Sequence, residues 1–190
     1  MTVSGPCRTC DSVECVDSRR DRFEEIAPGL IEPVRRFLAR RTDPATVDDV
    51  LAETLLVCWR RVDDLPAEPL PWVYGVARHC LRNADRAARR RQRLASRIAT
   101  VDPPPEAAPA PDEPDDDLAA ALAALRPDDA ELLRLWAWEQ LTPAEIAVVL
   151  DITANAASIR LHRAREKLKA QLRKVEAAAG HEETREGRRP

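Results

Sequence analysis

Apolar residues recur at steps of three and four along most of this chain, a spacing that predicts helices. The first run covers residues 21–41, where Pro28 and Pro33 are expected to break or kink the helix. A longer run covers residues 46–62, and a third helix follows a proline-rich loop at residues 63–71. The first half of the chain is therefore expected to form a helical bundle.

A second group of helices is predicted from Leu118 onwards. The segment LAAALAAL forms a short helix that Arg126 and Pro127 end, and another helix follows at residues 128–138. The large apolar residues of this helix that are available for a core are Leu132, Leu133, Leu135 and Trp136.

The next segment predicts two helices with a tight break between them. Thr142, Pro143 and Glu145 form a helix start, because the threonine can cap an open amide, the proline fits the first position and the glutamate can bond back. Asp151 then interrupts the apolar pattern with a residue that tolerates left-handed geometry, and Thr153 is a second N-cap candidate. This pattern is typical of a helix-turn-helix motif.

The second helix of the motif, from about Ala154, is two-faced. Its inward stripe consists of Ala157, Leu161, Ala164 and Leu168. In a helix-turn-helix protein the second helix enters the major groove, where polar side chains read base edges and arginines hold phosphates. A solvated amphipathic helix in some other bundle is the alternative. The polar residues that project elsewhere are Asn155, Ser158, Arg160, His162, Arg163 and Arg165.

The helix at residues 46–62 also has two stripes. The stripe expected to be buried consists of Val47, Val50, Leu51, Leu55, Cys58 and Val62. The outward stripe has mixed charge and one leucine, which is typical of a surface that docks on another helix, although a merely solvated face fits the same spacing. It consists of Asp49, Glu53, Leu56 and Arg60.

The third helix combines aromatic and basic residues. Trp72 and Tyr74 lie near its start. Arginines neutralise phosphates, while aromatic rings can stack on bases pulled from a duplex. One of the two aromatic residues is instead expected to belong to the core. The residues that follow are Arg78, His79, Arg82, Asn83, Arg86 and the cluster Arg89 to Arg91.

Composition favours helices and shows where the charge lies. Five glycines, one tyrosine and two phenylalanines are too few for a sheet protein. The formal net charge of −3 hides two basic segments, residues 82–97 and 160–174, each with seven basic residues against a single acid. Residues 102–117 carry seven acids and no base. The basic faces are therefore expected to be the working surfaces.

Little in the sequence suggests an enzyme, a metal site or a membrane protein. No apolar run approaches the roughly 18 to 20 residues that cross a bilayer, and no secretion signal is visible, so a cytoplasmic protein is expected. Neither a phosphate-binding glycine loop nor a nucleophile motif occurs, so we expect neither catalysis nor a cofactor. Cys7, Cys10 and Cys15 hint weakly at zinc or thiol chemistry, with a disordered tail as the alternative. Cys58 and Cys80 are expected to be small buried residues.

The chain resembles the group IV (extracytoplasmic function, ECF) sigma factors of bacterial RNA polymerase over residues 21–173. The resemblance rests on the segment WRRVDDLPAEPLPWVYGVARHCLRNADRAARRR and on the helix-turn-helix downstream. It implies an all-α protein with two small helical domains, called region 2 and region 4, joined by a disordered linker. The implied divisions are a cysteine-containing disordered tail at 1–20, region 2 at 21–98, an acidic proline-rich linker at 99–117, region 4 at 118–175 and a disordered tail at 176–190.

The resemblance also implies roles for individual residues. The contacts that would clasp a coiled coil of the polymerase β′ subunit are Asp49, Glu53, Leu56 and Arg60. The residues that would melt and read the minus 10 promoter element are Trp72 and Tyr74 at the melting end, then Arg78, His79, Arg82, Asn83 and Arg86. The residues that would lie over the minus 35 element are Asn155, Ser158, Ile159, His162 and Arg163, with Arg160 and Arg165 nearer phosphate or core support.

Three positions depart from the family pattern. Ala52 stands where glutamine is usual, His79 where asparagine is frequent and Asp151 where glycine is frequent. The base preference of relatives therefore does not transfer to this chain. The partners that the resemblance implies are core RNA polymerase, through its β′ coiled coil and β flap, promoter DNA and an anti-sigma protein, with no membrane contact.

Two functions fit the sequence. One is an initiation subunit that binds core polymerase, spans two promoter elements and helps to separate the strands. The other is a helix-turn-helix regulator that dimerises and binds duplex DNA without polymerase. The aromatic and basic helix and the long acidic linker favour the first, because a dimeric repressor needs neither. In the family this linker threads the RNA channels of the polymerase, although a flexible tether would have the same composition.

Overall fold

The structure is a computed structural model that describes the backbone of residues 13–99 and 117–186 and the side chains of residues 18–94 and 118–174. Within those ranges lie seven α-helices and one short 3-10 helix, and no strand occurs there. The all-α prediction is confirmed. The chain divides after Pro103 into two compact units, and the predicted linker lies almost entirely outside the described residues.

The helices are numbered in chain order. The first unit contains α1 (Val13–Ala39), α2 (Pro44–Arg60) and α3 (Leu70–Ala99), with a 3-10 turn at Val62–Asp64. The second unit contains α4 (Asp117–Ala123), α5 (Pro127–Ala137), α6 (Pro143–Leu150) and α7 (Ala154–Glu186).

The three helices of the first unit share one apolar core. Phe37 of α1 and Tyr74 of α3 stack within it, with ring centroids 4.9 Å apart. Cys58 and Cys80 are buried and unpaired, as expected. Burial raises the pKa of Cys58 to about 11, so its thiol stays neutral near pH 7. The other buried apolar residues of this unit are Leu30, Val34, Leu38, Val47, Val50, Leu51, Val62, Leu65, Val73, Ala77 and Leu81.

The buried stripe of α2 differs from the prediction at one place. Thr54 is fully buried, whereas the neighbouring Leu55 is only half-buried. The Thr54 hydroxyl donates a hydrogen bond to the Val50 carbonyl at 2.7 Å, which satisfies the polar group inside the core. The apolar pattern predicted that Leu55 is buried, but the threonine before it takes the buried position because its hydroxyl is hydrogen-bonded.

The first helix is longer and more regular than predicted. It begins at Val13, inside the segment 1–20 that was expected to be a disordered tail, and it runs unbroken past Pro28 and Pro33. A proline inside a helix costs about 3 kcal/mol. Leu30, Val34, Phe37 and Leu38 bury one face of the helix across and beyond both prolines. This packing outweighs the lost backbone hydrogen bonds.

Arg19 explains why the helix extends towards the N-terminus. Its guanidinium donates from Nη2 to the carbonyls of Trp59 and Arg60, at 3.3 Å each, and so satisfies open groups at the end of α2. Its Nε lies 3.1 Å from a carboxylate oxygen of Asp63 in the 3-10 turn. Phe23, one turn further on, meets the Trp59 ring edge to face with centroids 5.5 Å apart. The start of α1 thereby holds the connection between α2 and α3.

The second unit is assembled on α7, against which α4, α5 and α6 each pack. Fully buried Ala157 and Ala164 let the neighbouring helices come close to the α7 backbone. The other buried residues of the unit are Ala121, Leu122, Ala130, Leu132, Leu133, Leu135, Leu141, Ile146, Ala147, Val149 and Leu161.

Two features of the second unit differ from the sequence analysis. Trp136, which was available for the core by its spacing, is 39 % exposed, because the core face of α5 is already filled by three leucines. The tail expected to be disordered from residue 176 instead continues α7 to Glu186. The sequence of this extension begins VEAAAG, in which glutamate and three alanines favour helix.

Among the helices that the structure describes, none is both long enough and apolar enough to span a bilayer.

Replacing Arg19 by alanine should loosen the connection between α2 and α3. The loss of a partly exposed charged hydrogen-bond network costs about 1 kcal/mol, equivalent to about fivefold faster hydrogen exchange. The amide of Asp64, which donates to the Arg61 carbonyl at 2.9 Å, reports on this turn. Arg20→Ala is the matched control, since Arg20 pairs with Glu24 on the surface of the same helix. Equal exchange in both variants would contradict the anchoring role.

Candidate nucleic-acid interface

The helix-turn-helix is present with the predicted caps. The Glu145 amide donates to the Thr142 hydroxyl at 3.4 Å, and the Thr142 amide donates to the Glu145 carboxylate at 2.7 Å. Asp151 ends α6 in the left-handed conformation, with φ 54° and ψ 52°. The Thr153 hydroxyl then accepts a hydrogen bond from the Ala156 amide at 3.2 Å and starts α7. These local bonds fix the angle at which α7 leaves the turn.

The first two turns of α7 present a polar face to solvent. Ala157, Leu161 and Ala164 fill the inward face. Helical geometry then places Asn155, Ile159, His162 and Arg163 on the opposite side, with Arg160 and Arg165 on the two flanks. All seven residues predicted for the minus 35 element are exposed: Asn155, Ser158, Ile159, Arg160, His162, Arg163 and Arg165.

Contacts on both flanks brace α7 against α5. The Arg165 guanidinium lies 4.5 Å from the centroid of the Trp136 ring, a cation–π distance. On the other flank, Lys167 pairs with Asp129 of α5, with its Nζ atom 2.5 Å from the carboxylate. Arg165 thus packs on the exposed ring of Trp136, and its role near phosphate or in core support stays a prediction. Sequence reasoning missed Trp136 as the partner of this arginine, because only the folded unit brings them together.

A basic face runs along α3 on the side opposite the core. Trp72, His79, Asn83, Arg86 and Arg90 follow one another at steps of seven, four, three and four residues, so they share one side of the helix. Trp72 is half-buried at the start of this line, whereas His79, Arg86 and Arg90 are exposed. The structure therefore brings Trp72, His79, Asn83 and Arg86 together on one side of α3.

Two of the predicted reading residues are connected directly. Arg86 donates from Nη2 to the Asn83 side-chain carbonyl at 2.7 Å and from Nε to the Arg82 backbone carbonyl at 3.2 Å. Arg82 is exposed, while Arg78, on the flank of the face, is half-buried. The bond to Arg86 orients the Asn83 amide, which sequence alone could not show.

Tyr74 must be removed from the set of DNA contacts. It is 5 % exposed and stacks on Phe37 at an interplanar angle of 25°, so its ring is already occupied by the core. One of the two aromatic residues was expected to belong to the core, and the structure identifies it as Tyr74. Trp72 remains the candidate for stacking on a base.

The outward stripe of α2 is exposed along its length. Asp49, Glu53, Leu56 and Arg60 all face solvent, and Leu56 is 46 % exposed. The opposite side of the helix holds Val50, Thr54 and Cys58 in the core. A line of charged residues around one apolar side chain is therefore available for a partner helix.

The fold and these surfaces define a two-unit helical protein with a helix-turn-helix in its second unit. A family model described as "Sigma-70, region 4" matches residues 115–168. The chain is 33 % identical over 169 residues to the RNA polymerase sigma factor CarQ of Myxococcus xanthus, covering 84 % of this chain and 94 % of that one. It is 30 % identical over 156 residues to the RNA polymerase sigma factor CnrH of Cupriavidus metallidurans, covering 75 % and 80 %.

A solved structure shares the fold. The sigma factor RpoE of Bartonella quintana, determined in complex with the anti-sigma factor NepR, superposes with a TM-score of 0.54 at 18 % identity, covering 81 % of this chain and 98 % of that one. The chain belongs to the sigma-70 family of bacterial RNA polymerase sigma factors, in its group IV or ECF branch. Its function is therefore in transcription initiation, and a polymerase-independent regulator is not favoured.

The capping box should make the stability of the second unit depend on pH. Hydrogen bonds from the Thr142 hydroxyl and amide hold the pKa of Glu145 below its ordinary value of 4.5. A lowered folded-state pKa stabilises the unit above the unfolded-state value, and this contribution is lost as the pH falls through the folded-state value. Hydrogen exchange of the second unit, compared between wild type and Glu145→Gln, should therefore differ most above pH 4.5, and the difference should shrink as the pH falls below 4.5. A constant difference across that range would contradict this assignment.

Proposed function

We propose that this sigma factor binds core RNA polymerase through the outward stripe of α2, reads and melts the minus 10 element with α3, and reads the minus 35 element with α7. The proposal rests on one observation that is made in both units. Each unit turns a basic, exposed face away from its core, and the two faces lie on the helices that the family resemblance assigns to DNA.

The charge distribution supports two DNA contacts in one chain. The basic segments 82–97 and 160–174 contribute seven basic residues each, although the whole chain has a net charge of −3. Phosphate neutralisation depends on local positive charge and not on the sum over the chain. The acidic residues 102–117 lie between the two basic segments and would repel a duplex on their own. Polymerase is therefore proposed to set the spacing between the two DNA-binding surfaces.

The polymerase contact is proposed to centre on Leu56. Interface energy concentrates in a few apolar or aromatic anchors that a polar rim surrounds. Leu56 is an exposed apolar residue, and Glu53 and Arg60 lie one turn to either side of it. Asp49 extends the stripe by one further turn. This arrangement fits the helical coiled coil that the family uses as its docking site.

Two further partners are proposed for this chain. The β flap of polymerase is the family's contact for the helix-turn-helix unit. An anti-sigma protein is proposed because the structural relative RpoE was determined together with the anti-sigma factor NepR. Neither contact requires a catalytic step from the sigma factor itself.

Substituting Leu56 by alanine tests the central claim. Wild-type protein should co-purify with core polymerase and direct run-off transcription from a cognate promoter. Leu56→Ala should bind core polymerase about tenfold more weakly, because the loss of an apolar anchor costs more than 1 kcal/mol. Ile31→Ala removes an exposed aliphatic side chain from α1 and is the matched control. Failure of the wild-type protein to bind polymerase, or to direct a transcript once bound, would overturn the proposed function.

Replacing Trp72 by alanine should impair strand opening more than initial promoter binding. Stacking of a base on an aromatic side chain stabilises a complex by about 1 to 3 kcal/mol. A base can stack on Trp72 only after the strands separate, so the alanine variant loses this energy at the opening step and not at the binding step. Permanganate reactivity of unpaired thymines measures opening, and filter binding of the closed complex measures binding. Trp72→Phe should restore much of the opening, because it keeps an aromatic face. An alanine variant with the open-complex yield of wild type would remove Trp72 from the melting machinery.

A further inference from the structure

Ile159 is the one large apolar side chain on the outward face of the first turns of α7. It is 44 % exposed, and the inward face beneath it is already filled by Ala157, Leu161 and Ala164. Its neighbours one turn away along the helix are Asn155 and Arg163, both polar and exposed. Its side chain therefore lies outside the buried core of the part of the second unit that the structure describes.

A single exposed aliphatic residue is ordinary on a protein surface. Ile159 is notable because it lies in the N-terminal part of the second helix of the helix-turn-helix. In a helix-turn-helix protein the N-terminal part of the second helix is the segment inserted between the strands of the major groove. On insertion this side chain would leave water. A polar group at that position would need a matching hydrogen-bond partner, whereas an isoleucine needs an apolar one.

Only one group on the base edges of the major groove is a good apolar partner. Guanine presents nitrogen and oxygen acceptors, adenine a nitrogen acceptor and an amino group, and cytosine an amino group. Thymine alone adds a 5-methyl group beside its carbonyl. We propose that Ile159 is a specificity-determining residue that packs against the 5-methyl group of a thymine in the upstream promoter element. This inference rests on the proposed function, because it requires α7 to lie in the major groove.

The helix geometry limits where that thymine lies. Asn155 precedes Ile159 by four residues, or about 6 Å along the helix axis. An asparagine suits the paired donor and acceptor of adenine. Successive base pairs are separated by about 3.4 Å. The thymine read by Ile159 therefore lies within about two base pairs of the base that Asn155 contacts.

The test removes only the methyl group. Holoenzyme made from the full chain and core polymerase is used to select duplexes from a library with a randomised upstream element. Each thymine of the selected element is then replaced, one at a time, by deoxyuridine. At one position wild-type holoenzyme should bind about fourfold more weakly, the effect of leaving one methyl group unburied. Ile159→Ala holoenzyme should bind the thymine and deoxyuridine duplexes equally at that position.

Two control variants separate the methyl contact from other effects. Val148→Ala removes an aliphatic side chain that is 53 % exposed on α6, and it should keep the fourfold sensitivity to deoxyuridine. Arg163→Ala should weaken binding of both duplexes by the same factor, since its predicted contact is independent of the thymine methyl group. Ile159→Ala is compatible with folding, because alanine favours helix more than isoleucine does.

Two results would overturn the inference. One is the absence of any position where deoxyuridine weakens binding by wild-type holoenzyme. The other is the same loss in Ile159→Ala as in wild type. In both cases, continued selection of an upstream element and transcription from it would leave the proposed function intact. A holoenzyme that selects no upstream element would contradict the assignment of α7 to DNA instead.

Discussion

The helical period constrains every surface of this protein. A helix that buries a stripe of residues three and four apart must turn the remaining residues away from the core. In α3 the stack of Tyr74 on Phe37 fixes which side is buried, so the histidine and arginines share the other side. In α7 two fully buried alanines do the same. The positions of the exposed basic side chains are thus a consequence of core packing.

The net charge of the chain does not show where its basic residues lie. The chain as a whole is slightly acidic, yet its basic residues are concentrated on helices whose other face is buried. Affinity for a polyanion depends on the charge within roughly one Debye length, about 8 Å at physiological salt. The acidic residues 102–117 are separate in sequence from both basic segments. This arrangement suits a subunit whose DNA contacts are formed together with polymerase.

Much of the fold could be predicted from local rules. The caps at Thr142 and Thr153 and the left-handed Asp151 depend on neighbouring residues only, and the sequence predicted all three correctly. The start of α1 could not be predicted, because its stability depends on Arg19 reaching carbonyls forty residues away. The exposure of Trp136 was missed for a similar reason, since periodicity shows that a residue can face the core but not whether space is left. Tyr74 and Trp72 could be distinguished only by their packing.

The residues of α7 that hold the second unit together are separate from those on its exposed face. Ala157, Leu161 and Ala164 are buried, while Asn155, Ile159 and Arg163 make no contribution to the core. Substitutions on the outer face can therefore accumulate over evolutionary time without unfolding the unit. Gene duplicates of such a chain are free to diverge in the promoters that they select while they inherit an unchanged scaffold.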